Sequence, residues 1–177
     1  MKPSSVPPFS ELIGDCHRSA VHLELRDTYE GYDDGGWFAE WKREGRLTPA
    51  FVEDFRTWTD LVREAVARGV TMRRVRVVSV PVSEYIRFEY EVARLNQEAG
   101  EQVRWLPRSD AATLLVPGAD LWIFDDRSIR FGHFAGDGAL VRNEMCHDPS
   151  VIEKFGEAFE AIWQRATPHE RFSVSPR

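Results

Sequence analysis

Arg73-Arg74-Val75-Arg76-Val77-Val78-Ser79-Val80, an amphipathic run from Ser83 to Ala99, and Gln102-Val103-Arg104-Trp105-Leu106 together decide the fold. Val75, Val77, Val78 and Val80 supply the β-branched content of a buried strand, and Pro81 closes it. The Ser83 hydroxyl is placed to cap a helix from Glu84 to about Ala99 that buries Tyr85, Phe88, Val92 and Leu95. Gly100 follows as the left-handed residue that ends it. A strand, a helix and a strand within about 35 residues form a βαβ unit, so the two strands are parallel.

Working outward, Val21, Leu23 and Leu25 alternate with His22, Glu24 and Arg26 as in a half-buried strand. Ser10 is placed to cap a short helix through Cys16. Tyr29 to Gly36 reads as a loop, followed by a short helix marked by Trp37, Phe38 and Trp41 and ended by Gly45. Thr48-Pro49 starts a long helix to Arg68, with Phe51, Phe55, Trp58, Leu61, Val62 and Ala65 on one face. Beyond the βαβ unit, a helix-like piece spans Asp110 to Leu115. Three strands, Asp120 to Phe124, Ser128 to Phe134 and Ala139 to Met145, then form an antiparallel meander with tight turns at Asp125-Asp126-Arg127 and Gly136-Asp137-Gly138. Asp148 caps a last helix to about Ala166. The expected class is α/β with α+β character: one mixed sheet packed by helices, in a single domain over 9–166 flanked by tails at 1–8 and 167–177.

With 177 residues, 42% apolar content and six Trp, one sizeable core is expected. Apolar runs stay far short of the roughly 20 residues of a bilayer span, and prolines occupy the place of a signal peptide's apolar segment. A cytoplasmic protein without membrane contact is expected. Cys16 and Cys146, the two cysteines, then read as reduced thiols. A net charge of −6 disfavours direct nucleic-acid binding. Only three of the 23 basic residues are Lys, a bias attributable first to a GC-rich coding genome.

Candidate chemistry is sparse. Cys16-His17 and Cys146-His147 repeat one dipeptide, but adjacent residues rarely ligate one zinc ion, so no metal and no cofactor are expected. Cys146-His147-Asp148 is too tightly spaced for a nucleophile relay, and Asp125-Asp126 reads as a turn. Arg74, Arg76 and Arg104 alternate with valines and share an expected sheet face, with Arg108 just past the strand end. Guanidinium forks there suit an anionic small molecule, Arg108 foremost; the plainer reading is ion pairing with acids such as Glu84 and Glu101. Tyr32, Trp37 and Trp41 form a candidate surface for a protein partner, with core packing as the alternative.

The blocks Leu23-Glu24-Leu25-Arg26-Asp27, Arg73 to Val78, Asn96 to Glu101, Leu106-Pro107-Arg108 and Leu121 to Asp126 resemble a family of small actinobacterial proteins classed as a domain of unknown function. Genes of that family commonly neighbour helix-turn-helix regulators, which implies such a regulator as partner. Arg73 to Ala166 also looks like one half of a phospholipase D-like domain, in particular the nonenzymatic versions attached to transcription regulators. A catalytic version needs a His, a Lys two residues later, and an Asp seven residues after the His. Counting back from Asp126 gives Ala119 and Leu121; from Asp125, Gly118 and Asp120. Neither register supplies the nucleophile or the phosphate-binding Lys. The resulting expectation is a non-catalytic regulatory interaction module. An anion sensor on the arginine-bearing sheet end is the alternative, and an unrecognised hydrolase the third.

Overall fold

The computed structural model describes residues 6–29, 31 and 36–174. Its elements are α1 (Phe9–Gly14), β1 (Ser19–Glu24), α2 (Trp37–Glu44), α3 (Pro49–Ala67), β2 (Thr71–Val78), α4 (Glu84–Glu98), β3 (Gln102–Pro107), β4 (Asp120–Phe124), β5 (Ser128–Phe134), β6 (Leu140–Cys146), α5 (Pro149–Arg165) and β7 (Thr167–Pro168). Seven strands form one mixed sheet in the order β6-β5-β4-β1-β2-β3-β7. β1, β2 and β3 run parallel, and the remaining neighbours are antiparallel. The expected caps form: Thr48, Ser83 and Asp148 accept from backbone N–H groups of Phe51, Ile86 and Ser150. α1 instead starts behind Pro8, one residue ahead of the expected cap at Ser10. The segment from Asp110 to Leu115 is a series of turns rather than a helix.

Strand parity sorts the two faces. Val21, Leu23, Val75, Val77, Leu121, Ile123 and Ile129 point one way and pack under Ile152, Phe159, Ile162 and Trp163 of α5. The even-numbered positions of β1, β2 and β4 point the other way, toward α1, α3 and α4, with α2 packed against α4. Both faces of β1 are therefore covered. Its alternation marks two buried environments rather than an inside and an outside, which corrects the half-buried reading: Glu24 is 8% exposed.

The domain also extends past Ala166, where the sequence places a tail. Thr167 pairs with Trp105 across β7 and β3, and the Trp105 indole N–H donates to His169 Nδ1 at 3.0 Å. Phe172 stacks on Trp105 with centroids 5.4 Å apart. Burying an indole leaves its N–H in need of an acceptor, and this segment supplies one.

Candidate ligand-binding site

A cavity of about 490 Å³ lies between the even face of the sheet and α3 and α4. Its floor follows from register. One row across β2, β1, β4 and β5 is Arg74, His22, Trp122 and Arg130; the next is Arg76, Glu24, Asp120 and Gly132. Gly132 has no side chain, and the Phe134 ring takes the space, lying 3.0 Å from where a Cβ would stand. The walls are aromatic: Trp37 from α2, Phe51, Phe55 and Trp58 from α3, Tyr85 and Phe88 from α4, with Phe9, Tyr29 and Phe134 around the margin.

The floor carries a buried ion network. Arg74 Nε donates to Glu101 at 2.8 Å and Nη1 to Glu24 at 3.1 Å. Arg76 Nε lies 3.1 Å from the same Glu24 oxygen, and its Nη2 donates to Glu89 at 2.6 Å. Burial pushes the Glu24 carboxyl up, but Arg76 and Arg74 outweigh it and hold it near 2. Glu89 goes the other way, since burial raises it despite Arg76. Asp120 forms no ion pair among the described residues, although the Arg26 charge lowers it. Its carboxylate accepts from the Tyr29 hydroxyl and from the Leu25 N–H, the latter at 3.0 Å. Burial lifts it to about 6, with the Tyr29 hydrogen bond opposing. Burial also holds His22 neutral, well below the usual histidine range, while its ring stacks on Trp122 at 4.1 Å. Arg76 Nη1 and His22 Nδ1 are buried without a hydrogen-bond partner among the described residues.

The structure divides the arginines that the sequence groups. Arg74 and Arg76 line this cavity, but Arg104 pairs with Val75 rather than with a valine's neighbour, which puts it on the opposite face. A one-residue offset between strands reverses the side of every residue. Arg104 reaches the Trp163 carbonyl at the end of α5 at 2.8 Å. Arg108 is elsewhere again: its Nη2 donates to Leu25 O at 2.7 Å and Val77 O at 3.0 Å, tying together the ends of β1 and β2. Of the acids expected to pair with the arginines, Glu101 pairs with Arg74; the other partners of Arg74 and Arg76 are Glu24 and Glu89 in place of the expected Glu84.

Trp37 and Trp41, both half-buried, pack against the aromatic cluster of Phe38, Phe51 and Phe88, as in the core-packing alternative. Tyr32 lies outside the described residues. Cys16 and Cys146 pack against different clusters on the two sides of the sheet, and burial raises the Cys16 thiol to about 11. Asp125 and Asp126 form the β4–β5 turn with φ of 52° and 54°. The Asp125 carboxylate accepts from the backbone N–H groups of His17, Arg18 and Ser19, each at 2.8 Å, and so clamps the entry of β1. Asp125 is the buried aspartate of this turn, and Asp126 is exposed. In either register His and Lys are missing: Gly118 and Asp120 stand in their places when counting from Asp125, Ala119 and Leu121 when counting from Asp126.

Sequence reasoning missed His22, Glu24, Glu89, Asp120 and the α3 aromatics as site residues. The signal was available as complementary spacing, His-x-Glu on β1 beside Arg-x-Arg on β2, which only adjacent parallel strands bring together.

The fold is similar to that of solved structures, among them a phospholipase D family member. Nuc from Salmonella typhimurium is 12% identical, with 90% of this chain and 86% of that chain covered, at a TM-score of 0.51. NucT from Helicobacter pylori is 10% identical, with 90% and 87% covered, at 0.50. TrmBL2, an archaeal chromatin protein, is 13% identical over 89% of this chain and 48% of that one, at 0.47. The likeness spans the chain rather than only Arg73 to Ala166. No curated protein matches the sequence. A family model matches residues 7–174, nearly all that the structure describes, and the chain belongs to that family, the domain of unknown function DUF6879.

Proposed function

We propose that this domain is a non-catalytic module that binds one small organic molecule between the sheet and helices α2 to α4. The cavity carries the reading. Its volume of about 490 Å³ falls within the range of small-molecule sites, and its aromatic walls close over a few convergent polar groups. The inward turn of Trp37 favours ligand binding over partner contact, because the residue expected to meet a protein lines the cavity instead. In either register the sequence supports the absence of this phosphodiester chemistry, since Gly118 or Ala119 has no group to stand for the His and Asp120 or Leu121 has no positive charge to neutralise a phosphate.

Native mass spectrometry of the protein isolated from its own cells tests this. The expected result is an added small-molecule mass that is released on unfolding and is missing from Asn143→Trp, which fills the open side of the cavity from β6. An unliganded mass for the parent, with no stabilisation by any fraction of a cell extract, would refute it.

A further inference from the structure

The charge balance of the cavity floor names the class of ligand, resting on the binding reading above. Arg74 and Arg76 are neutralised from within the protein by three carboxylates, Glu24, Glu89 and Glu101. Asp120 is a fourth, one strand over from Glu24 and satisfied by neutral donors alone. His22, the titratable base in the neighbouring row, is uncharged. Among the residues that line or back the floor, the five acids Glu24, Asp54, Glu89, Glu101 and Asp120 therefore meet three cations, Arg74, Arg76 and Arg130, and an anion placed there would be a sixth negative group. Buried charge without compensation is costly, so the empty site takes up protons instead. The cavity adds a second mark of an occupant. Arg76, with a side chain 4% exposed, lines it and leaves Nη1 without a partner among the described residues.

We infer that the cavity takes an organic cation: an aromatic ring between the walls of α3 and α4, an amine against Asp120 and Glu24, and an acceptor atom on the same molecule for Arg76 Nη1. Cations are attracted to the faces of aromatic rings as well as to carboxylates, so the walls and the floor favour the same charge. Binding of the amine displaces the proton from Asp120. The groups that act on Asp120 are Glu24 on β1 and Arg26, Tyr29 and the Leu25 N–H on the segment after β1, while Arg74 and Arg76 on β2, Asp54 on α3, Glu89 on α4 and Arg130 on β5 are the other charged groups lining the cavity.

Two matched sets test the charge preference by calorimetric titration of the full chain: tryptamine, tryptophol and indole-3-acetate, and benzylamine, benzyl alcohol and benzoate. The amine of a set should bind about tenfold or more tighter than its alcohol, and the acid should not bind. Asp120→Asn, which keeps an acceptor for the Leu25 N–H, should weaken the amine by about ten- to a hundredfold and leave the alcohol unchanged. Raising the pH from 5 to 7 should tighten the amine and not the alcohol. An acid that binds as well as its amine, or an amine indifferent to Asp120→Asn in a folded variant, overturns the inference. If amine and alcohol bind equally to the parent and both are lost in Asn143→Trp, the charge inference falls and the binding reading stands. If none of the six compounds binds, both fall.

Discussion

Asp120 should make the unliganded protein less stable as pH rises through the range where most proteins gain stability. Its carboxyl sits at about 6 when folded against 3.8 for an ordinary aspartate. Between those values the folded state holds a proton that the unfolded state has released, so stability falls with rising pH and the loss is complete above about 6. At about 1.4 kcal/mol per pH unit, the gap corresponds to about 3 kcal/mol, a large share of a domain's net stability. Asp120→Asn abolishes this titration while keeping the shape of the side chain. Urea unfolding at pH 4, 5, 6 and 7, extrapolated to water, should show the variant gaining about 3 kcal/mol on the parent between the ends of the series. Glu24 and Asp125, whose carboxyls the fold holds low, are present in both proteins, so their contributions cancel in the difference. Glu89, which burial also raises, is separated by measuring Glu89→Gln alongside. Parallel profiles for parent and Asp120→Asn would show that the carboxyl is not desolvated and would remove the reasoning behind the charge surplus.

Asp125→Ala strips the acceptor from three backbone N–H groups and should cost about 3 kcal/mol or more by urea unfolding. For the parent, burial raises the Asp125 carboxyl but its backbone donors outweigh burial and hold it low, so its contribution persists above pH 3.8 and fades as pH falls through the folded value. Ending the chain at Ala166 removes the acceptor of the Trp105 indole and the ring stacked on it, and should cost about 3 kcal/mol. Arg108→Ala should lower stability by about 1 kcal/mol yet leave cavity binding unchanged, as titration of tryptamine would show; a loss of affinity would return the site to the strand ends. Bis(p-nitrophenyl) phosphate should not be hydrolysed, and turnover abolished by Asp125→Ala would contradict a non-catalytic domain.

The elements were legible because local signals agreed with the tertiary structure. The valines of β2, the capping hydroxyls of Thr48 and Ser83, and the glycine after α4 each do locally what the fold requires. The site was less legible because it depends on pairing register, which no single strand encodes. Arg104 and Arg74 look equivalent in sequence, and the offset between β2 and β3 separates them to opposite faces. Glu24 and His22 look solvent-facing until β4 pairs with β1 and closes the centre of the sheet. Trp37 looks like a surface residue because its helix follows a polar loop; its burial comes from α3, through a ring contact with Phe51 at 5.6 Å. The C-terminal segment has no periodicity to read, since it is held by a two-residue strand and by contacts with Trp105.

Occupancy of the cavity is most directly observed through the indole N–H resonances of the six tryptophans. Trp37, Trp58 and Trp122 line the cavity, and the Trp58 N–H donates to Asn96 at 3.2 Å within it. Trp105 is sealed against His169 and Phe172, and Trp163 is on α5, packed against the other face of the sheet. Adding tryptamine to the nitrogen-15-labelled full chain should shift the resonances of Trp37, Trp58 and Trp122 in a saturable way and leave Trp105 and Trp163 in place. Shifts confined to Trp105 or Trp163, or no shift at any of the six, would contradict a binding site between the sheet and α3.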